Sequence, residues 1–144
     1  MHFLRLRNYK IDDREFLFSL RNKSYVVNNS ISRRKIDRLE HYNWFKKLKH
    51  SKSQIKIIIH NKKKIGMVRI DQKNAAFNLS WAILKSYQGK GFGLFALKKC
   101  TVKKKLLYKC QILKTNKPSI IIALKAGFNI DKIENKIIYL KKIH

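Results

Sequence analysis

The feature that most constrains this chain is a glycine-rich segment at residues 88–93, which holds three of the five glycines. It lies between an alternating apolar run at 77–84, which predicts a strand, and a run from Gly93 that predicts a helix. Glycine lets a backbone approach an anion, and a helix N-terminus attracts negative charge. The segment therefore predicts a phosphate-binding turn. Its residues are Gln88, Gly89, Lys90, Gly91, Phe92 and Gly93.

Two better-known phosphate loops do not fit this segment. Its spacing is not G-x-G-x-x-G, and no acidic residue stands about 20 positions further on, so a dinucleotide-binding fold is disfavoured. The chain has no Gly-Lys-Ser or Gly-Lys-Thr tripeptide, which excludes a nucleoside-triphosphate P-loop. A glycine-rich turn that binds no ligand remains the alternative.

Hydrophobic periodicity divides the rest of the chain into short strands and helices. The predicted strands cover residues 3–7, 54–60, 64–71, 77–84, 108–113, 128–133 and 136–140. The predicted helices cover residues 12–21, 36–49, 93–106 and 118–126, and residues 22–34 form a loop. This order predicts an α/β (α+β) fold: a single domain over 1–144, with a mixed sheet of about seven strands flanked by about four helices.

Helix-start signals refine two of these predictions. Asp12 is the expected cap of the first helix, with Ile11 packing on Phe16 as a hydrophobic staple. Asp37 and Glu40 have the spacing of a capping box at the start of the second. Pro118 suits a first helical turn, and Gly127 suits a C-terminal cap.

Charge is extreme but uninformative about function. The net charge is +27, from 27 Lys and 8 Arg against 8 acidic residues. Lys, Ile and Asn together make up 57 residues, which indicates a compositional bias and not selection for one basic surface. Arginine, the better phosphate ligand, is not enriched, so nucleic acid is disfavoured as the main partner. A basic RNA- or ribosome-associated protein remains the alternative that is not an enzyme.

Cysteine content and apolar run length indicate the compartment. Cys100 and Cys110 are too few for a disulfide scaffold, and the aliphatic runs are too short to span a bilayer. We therefore expect a cytoplasmic protein with no membrane partner. The five histidines and two cysteines form no recognised metal-ligand spacing, so no metal is expected.

Several segments together resemble one family. Gln88-x-x-Gly91-x-Gly93, after a strand and opening a helix, resembles the acetyl-CoA pyrophosphate motif of the GNAT N-acetyltransferase superfamily. Residues 64–68 resemble its central hairpin. Asn116-x-x-Ser119, followed by residues 125–128, resembles its second cofactor segment.

The resemblance implies a transferase that moves the acetyl group of acetyl-CoA directly to an amine. Amides of the 88–93 turn would bind the pyrophosphate, and Asn116 and Ser119 would lie near the pantetheine arm. The splayed strand would donate backbone N–H groups to the cofactor from four residues: Trp81, Ala82, Ile83 and Leu84. Two family features are missing, since residues 77–80 hold no glutamate and Ala123 stands where many members have a tyrosine acid.

The missing acid and base leave four candidates for proton transfer. Ser119 or Tyr87 could protonate the leaving thiolate, although Ser119 also suits a helix start and Tyr87 suits packing. Glu40 or His41 could accept the amine proton. The structural alternatives are the capping box for Glu40 and a half-exposed helix position for His41. Water could also serve, and the sequence leaves a Cys–His nucleophile pair open.

The acceptor is expected to be a small-molecule amine. The region around Arg21 and Trp44 resembles a GNAT branch that acetylates nucleotide-linked amino sugars and, nearly as well, ribosomal-protein N-terminal acetyltransferases. Arg21, Arg33 and Arg34 could meet phosphates, while Trp44 or Phe45 stacks on a ring. Alternatively, both aromatic residues belong to the core. The sequence predicts no oligomeric state.

Overall fold

The computed structural model describes residues 3–143 and contains one seven-stranded sheet. The strands are β1 (Leu4–Asn8), β2 (Ser53–His60), β3 (Lys63–Lys73), β4 (Ala76–Ile83), β5 (Leu107–Leu113), β6 (Asn129–Glu134) and β7 (Ile137–Ile143). The α-helices are α1 (Arg14–Arg21), α2 (Ser24–Val27), α3 (Arg38–Leu48), α4 (Phe92–Lys99) and α5 (Lys117–Lys125). The mixed seven-stranded α/β fold predicted from the sequence is confirmed.

The sheet has the order β1-β2-β3-β4-β5-β7-β6. All neighbours are antiparallel except β4 and β5, which run parallel. Their pairing covers only three residues of each strand, 76–78 against 107–109, although both strands continue beyond it. The sheet therefore splits between β4 and β5 and opens a gap toward the end of β4.

Two apolar clusters fix the helices on opposite faces of the sheet. On one face, Leu17 and Phe45 of α1 and α3 pack with the aliphatic residues of β2. On the other, Ala96 and Ala123 of α4 and α5 pack with Leu79 and Ile83 of β4. The alternation predicted for β4 is confirmed, because its odd-numbered residues pack in this second cluster.

The first helix starts differently from the prediction. A short 3-10 turn at Ile11–Asp13 precedes α1, and Asp13 accepts a 2.7 Å hydrogen bond from the Lys10 amide. Asp12 is therefore not the cap, and the predicted staple is wrong because Ile11 is 76% exposed. Sequence spacing does not show which of the two aspartates is the cap. The structure shows it, because Asp13 is buried beside Arg7.

Two other boundaries also differ. The predicted loop at 22–34 contains the short helix α2. The helix predicted over 93–106 ends at Lys99, because the Lys103 amide donates to the Tyr108 hydroxyl at 3.2 Å and Lys105 has a φ of +65°, neither of which a continuing helix allows. At α3, Asp37 accepts a hydrogen bond from the Glu40 amide, so half of the predicted capping box is present.

No helix among residues 3–143 is both long and apolar enough to cross a bilayer.

Candidate active site

The split in the sheet is widest beside the last residues of β4. Gly66 of β3 pairs with Ile83 there, and a Cβ on Gly66 would stand 2.5 Å from the Ala82 carbonyl oxygen. Only glycine permits this approach of β3 to β4. The Leu84 amide donates to the Ile65 carbonyl at 2.8 Å. Because strand amides alternate in direction, Ile83 and Trp81 direct theirs to the other edge, toward the gap.

The 88–93 turn closes one end of the gap and is open to a ligand. Gly89 and Gly91 have φ values of +75° and +84°, a region that L side chains rarely adopt, and a Cβ on Gly89 would meet nothing within 4 Å. Among the described residues, the backbone amides from Gly89 to Leu94 donate to no protein acceptor. The turn therefore presents a row of free N–H groups at the N-terminus of α4.

Two side chains from the predicted cofactor segments flank this turn. The side-chain carboxamide of Gln88 donates through Nε2 to the Ile83 carbonyl at 2.9 Å and links the turn to the end of β4. Asn116 precedes α5, and its side chain makes no capping bond there. Its half-buried carboxamide faces the cleft with both donor and acceptor unused by residues 3–143.

One cleft of about 890 Å³ gathers nearly all the predicted site residues. Those lining it are Arg21, Glu40, His41, Trp44, Trp81, Ala82, Ile83, Tyr87, Gln88, Gly89, Gly91, Phe92, Gly93, Asn116 and Ser119. Leu84 and Lys90 do not line it: the Leu84 amide is already bonded, and Lys90 lies outside with its Nζ 5.9 Å from the Tyr87 ring centroid. The buried Trp81 Nε1 has no acceptor among the described residues.

The wall formed by α1, α3 and the loop between them is basic. Arg21 is half-buried and donates only to the Arg34 carbonyl and the Ser32 hydroxyl, at 3.3 and 3.4 Å. Burial, and then the neighbouring Arg34, lowers its pKa. The one carboxylate among the lining residues is Glu40, and Arg34 engages both of its oxygens at 3.2 and 2.7 Å. Arg21 therefore keeps an unneutralised positive charge at the cleft.

His41 is buried, with 2% of its surface exposed, and not half-exposed as the structural alternative supposed. Its Nε2–H donates to the Arg14 carbonyl at 2.9 Å, which joins α3 to α1. Burial lowers the pKa of the imidazole, so the ring is neutral at pH 7. The ring centroids of Trp44 and His41 lie 5.3 Å apart, with the two rings tilted. The Arg69 guanidinium lies over the Trp44 ring, 5.4 Å from its centroid.

Comparison with models of known protein families identifies the family of this chain. The family model described as an acetyltransferase (GNAT) domain matches residues 4–129. The chain belongs to the GNAT acetyltransferase family. No curated protein matches this GNAT domain by sequence.

Solved structures share the fold at low sequence identity. The aminoglycoside acetyltransferase AAC(6')-Ib, solved with ribostamycin and coenzyme A, has a TM-score of 0.82 at 15% identity, covering 98% of this chain and 93% of the other. Spermidine N-acetyltransferase from Vibrio cholerae, solved with CoA and spermine, also has a TM-score of 0.82 at 15% identity, covering 98% of this chain and 95% of the other. A domain from Methanocaldococcus jannaschii has a TM-score of 0.80 at 21% sequence identity, covering 96% of both chains.

The cysteines of this GNAT domain lie outside the cleft. Burial raises the pKa of the Cys100 thiol to about 11 and that of Cys110 to about 12, so both thiols are protonated at neutral pH. Neither lines the cleft, which leaves no Cys–His nucleophile pair there. No group of three metal-ligating side chains occurs among residues 3–143.

Two of the cleft-wall residues that sequence reasoning missed connect separate elements. Tyr25 of α2 lines the cleft, and its hydroxyl accepts the Lys85 amide at 3.0 Å, linking the first helices to the end of β4. Arg69 points from β3 toward Trp44. An aromatic residue in a predicted loop and a lone arginine in a strand gave no signal, because both roles depend on contacts distant in sequence.

Proposed function

We propose that the cleft binds acetyl-CoA as the acetyl donor. The free amides of the 88–93 turn, at the N-terminus of α4, suit a diphosphate because they offer several donors and a positive dipole end. The unpaired carboxamide of Asn116 suits the amide groups of the pantetheine arm. The edge amides of Trp81 and Ile83 lie where a cofactor could replace the missing strand partner.

In the proposed reaction, a neutral primary amine attacks the thioester carbonyl. The new C–N bond forms as the C–S bond breaks, the amine loses one proton, and the thiolate takes one. The β4 edge amides would stabilise negative charge on the carbonyl oxygen. Ser119, half-buried on the first turn of α5, would donate its hydroxyl proton to sulfur and recover a proton from the cleft water that accepts the amine proton.

Water in the cleft is the proposed acceptor of the amine proton. Glu40 is poorly suited to this role because hydrogen bonds from Arg34 hold the pKa of its carboxyl below the usual value. His41 has its Nε2–H committed to the Arg14 carbonyl and little exposed surface. We assign His41 to positioning α3 against α1, and Tyr87 to packing against Phe92, whose ring centroid lies 6.3 Å away.

Replacing Ser119 with alanine should test the assigned acid. We expect kcat to fall about 100-fold with little change in the KM for acetyl-CoA, because the lost group acts in proton transfer. Ser86→Ala is the matched control, since Ser86 is exposed and lies outside the cleft. An unchanged kcat in steady-state assays of Ser119→Ala would remove Ser119 from the mechanism.

The acceptor that the cleft fits best is an anionic amine. The observation that carries this proposal is Arg21, a half-buried guanidinium in the acceptor wall that has no carboxylate partner within residues 3–143. A polycationic acceptor would need free carboxylates, and the cleft offers only Glu40, already neutralised by Arg34. The spermine and ribostamycin bound by the structural neighbours are polycations, so their substrates are poor guides here.

An amino sugar linked to a nucleotide combines the required features. Its phosphates would pair with Arg21, and a ring would stack on Trp44, which lines the same wall. Phosphate contacts by Arg34 are less suitable, because that residue is already bonded to Glu40. A ribosomal-protein N-terminus is the other acceptor suggested by the sequence, and the assay below separates the two.

Arg21→Gln should lower kcat/KM for a nucleotide-linked amino sugar roughly 10- to 100-fold, the loss expected for one charge-assisted hydrogen bond to phosphate. Activity on the same sugar without phosphates should be low and unchanged by the substitution. Release of free CoA measures both rates.

Arg33→Gln is the control, because Arg33 lies in the loop between α2 and α3, is exposed and does not line the cleft. The acceptor panel should also include spermidine, an aminoglycoside and a peptide with a free N-terminus. Highest kcat/KM on any of these three, with no effect of Arg21→Gln, would contradict the anionic-acceptor proposal while leaving the acetyltransferase assignment intact.

A further inference from the structure

A second pocket of about 550 Å³ lies away from the cleft and shares none of its lining residues. It is formed by β1, by neighbouring residues of β2, β3 and β4, and by the C-terminal end of α4 with the segment that follows it. Its size is within the range of small-molecule sites. No step of the proposed acetyl transfer uses it.

The polar part of this pocket is almost entirely cationic. Lys56, Lys99 and Lys103 line it together with Arg5, and no acidic side chain does. The position of Arg5 in β1, opposite Ile59, directs its side chain to the other face of the sheet. Within residues 3–143, none of these four groups has a carboxylate within 4 Å. The Lys56 ammonium donates to the neutral Asn8 side chain at 2.6 Å, so its charge is not compensated there.

The floor of the pocket is apolar and offers few groups to a polar ligand. Leu4, Ile70 and Tyr108 are all less than 10% exposed at its base, and Phe77 and Phe95 are half-buried beside them. The Tyr108 hydroxyl already accepts the Lys103 amide at 3.2 Å. A sugar or base placed here would lose its hydrogen bonds to water without replacement.

We infer that this pocket binds an amphipathic anion: an apolar chain or ring system that lies on the floor and carries one carboxylate, sulfonate or phosphate at the lysine-lined mouth. An apolar body gains free energy by leaving water, and the anionic head gains charge-assisted hydrogen bonds from lysine. A cationic or neutral amphiphile of the same length would lack the second contribution. The site is independent of acetyl transfer, and its occupancy does not depend on the proposed acceptor.

Sodium decanoate, titrated below its micelle concentration into the ¹⁵N-labelled full chain, tests the inference by amide chemical shifts. We expect saturable shifts in β1 and in the last turn of α4, with decyltrimethylammonium binding at least about tenfold more weakly. Sodium acetate, which has the head group alone, should cause no saturable shift. Equal binding of the two amphiphiles, or decanoate shifts confined to the cleft, would overturn the inference.

Paired variants locate the site. Lys99→Gln with Lys103→Gln should weaken decanoate binding about tenfold, whereas Lys104→Gln with Lys109→Gln, which removes two exposed lysines outside the pocket, should not. Val102→Trp should block the mouth without unfolding the chain, because Val102 is 58% exposed. Unchanged affinity in both pocket variants would overturn the inference. So would binding of anionic phosphatidylglycerol vesicles without any decanoate shift, because that result indicates surface adsorption.

Discussion

Gly91→Trp should abolish the thermal stabilisation that acetyl-CoA gives to the wild-type chain. A ligand present at about 100 times its Kd stabilises the folded state by about 2.7 kcal/mol, which corresponds to roughly 8–10 °C for a domain of this size. The indole would occupy the space in front of the free amides of the turn, where the diphosphate is proposed to bind. Differential scanning fluorimetry with and without acetyl-CoA measures the response.

Gly91→Ala and Gly127→Ala form the matched pair for this experiment. Both glycines have positive φ, +84° and +99°, so alanine brings a similar backbone penalty of about 1 kcal/mol at either position. Gly127 lies outside the cleft, at the end of α5. Only the Gly91 variant should lose affinity for acetyl-CoA. Absence of any acetyl-CoA response in the wild type would contradict the proposed donor site itself.

Asp13→Asn should strongly lower the stability of the chain. The Asp13 side chain has no exposed surface, and its carboxylate contacts Arg7 and Lys64, each at 2.7 Å. Removing one charge from a buried cluster leaves the others uncompensated and typically costs about 3–5 kcal/mol. The expected fall in Tm exceeds about 10 °C. Asp12→Asn is the control, since Asp12 is the exposed neighbour and its side chain forms no ion pair with any residue that the structure describes.

The same carboxylate should produce acid sensitivity. Burial by itself would raise the pKa of Asp13, but the hydrogen bonds from Arg7, Lys64 and the Lys10 amide outweigh it and hold the pKa far below its ordinary value. A lowered folded-state pKa stabilises the protein above the unfolded value of about 3.9, and this stabilisation is lost as the pH falls below it. Urea unfolding between pH 7 and pH 3 should show a larger loss in the wild type than in Asp13→Asn, in which Glu15 and Glu40 still have lowered pKa values.

Local patterns predicted the fold well where short-range physics decides. Alternation predicted β4, and the Pro118 and Gly127 signals predicted α5 closely, because both effects act within one turn. The helix after Gly93 was predicted too long because a run of lysines permits helix but does not require it. Its end depends on Tyr108 of β5, whose hydroxyl accepts the Lys103 amide that a longer helix would use.

The two halves of the site differ in how far the sequence could reveal them. Of the residues predicted for the donor half, all except Leu84 and Lys90 line one cleft, since glycine spacing between a strand and a helix encodes backbone geometry. The acceptor half depends on side chains that meet only in the fold: Arg34 neutralises Glu40, and Arg21 has no carboxylate partner among residues 3–143. Asp13 shows the same limit, because nothing in the sequence tells it apart from Asp12 as the buried anion.

The three-residue pairing between β4 and β5 has a mechanical consequence. Four strands lie on one side of this short seam and three on the other, so few backbone hydrogen bonds resist a hinge-like movement between the two halves. A molecule bound between the diverging strands would hold them together, because it would supply backbone hydrogen bonds that the two strands do not make to each other. Amide hydrogen exchange in β4 and β5 should slow when such a molecule is bound, while exchange in the β2–β3 hairpin should stay the same.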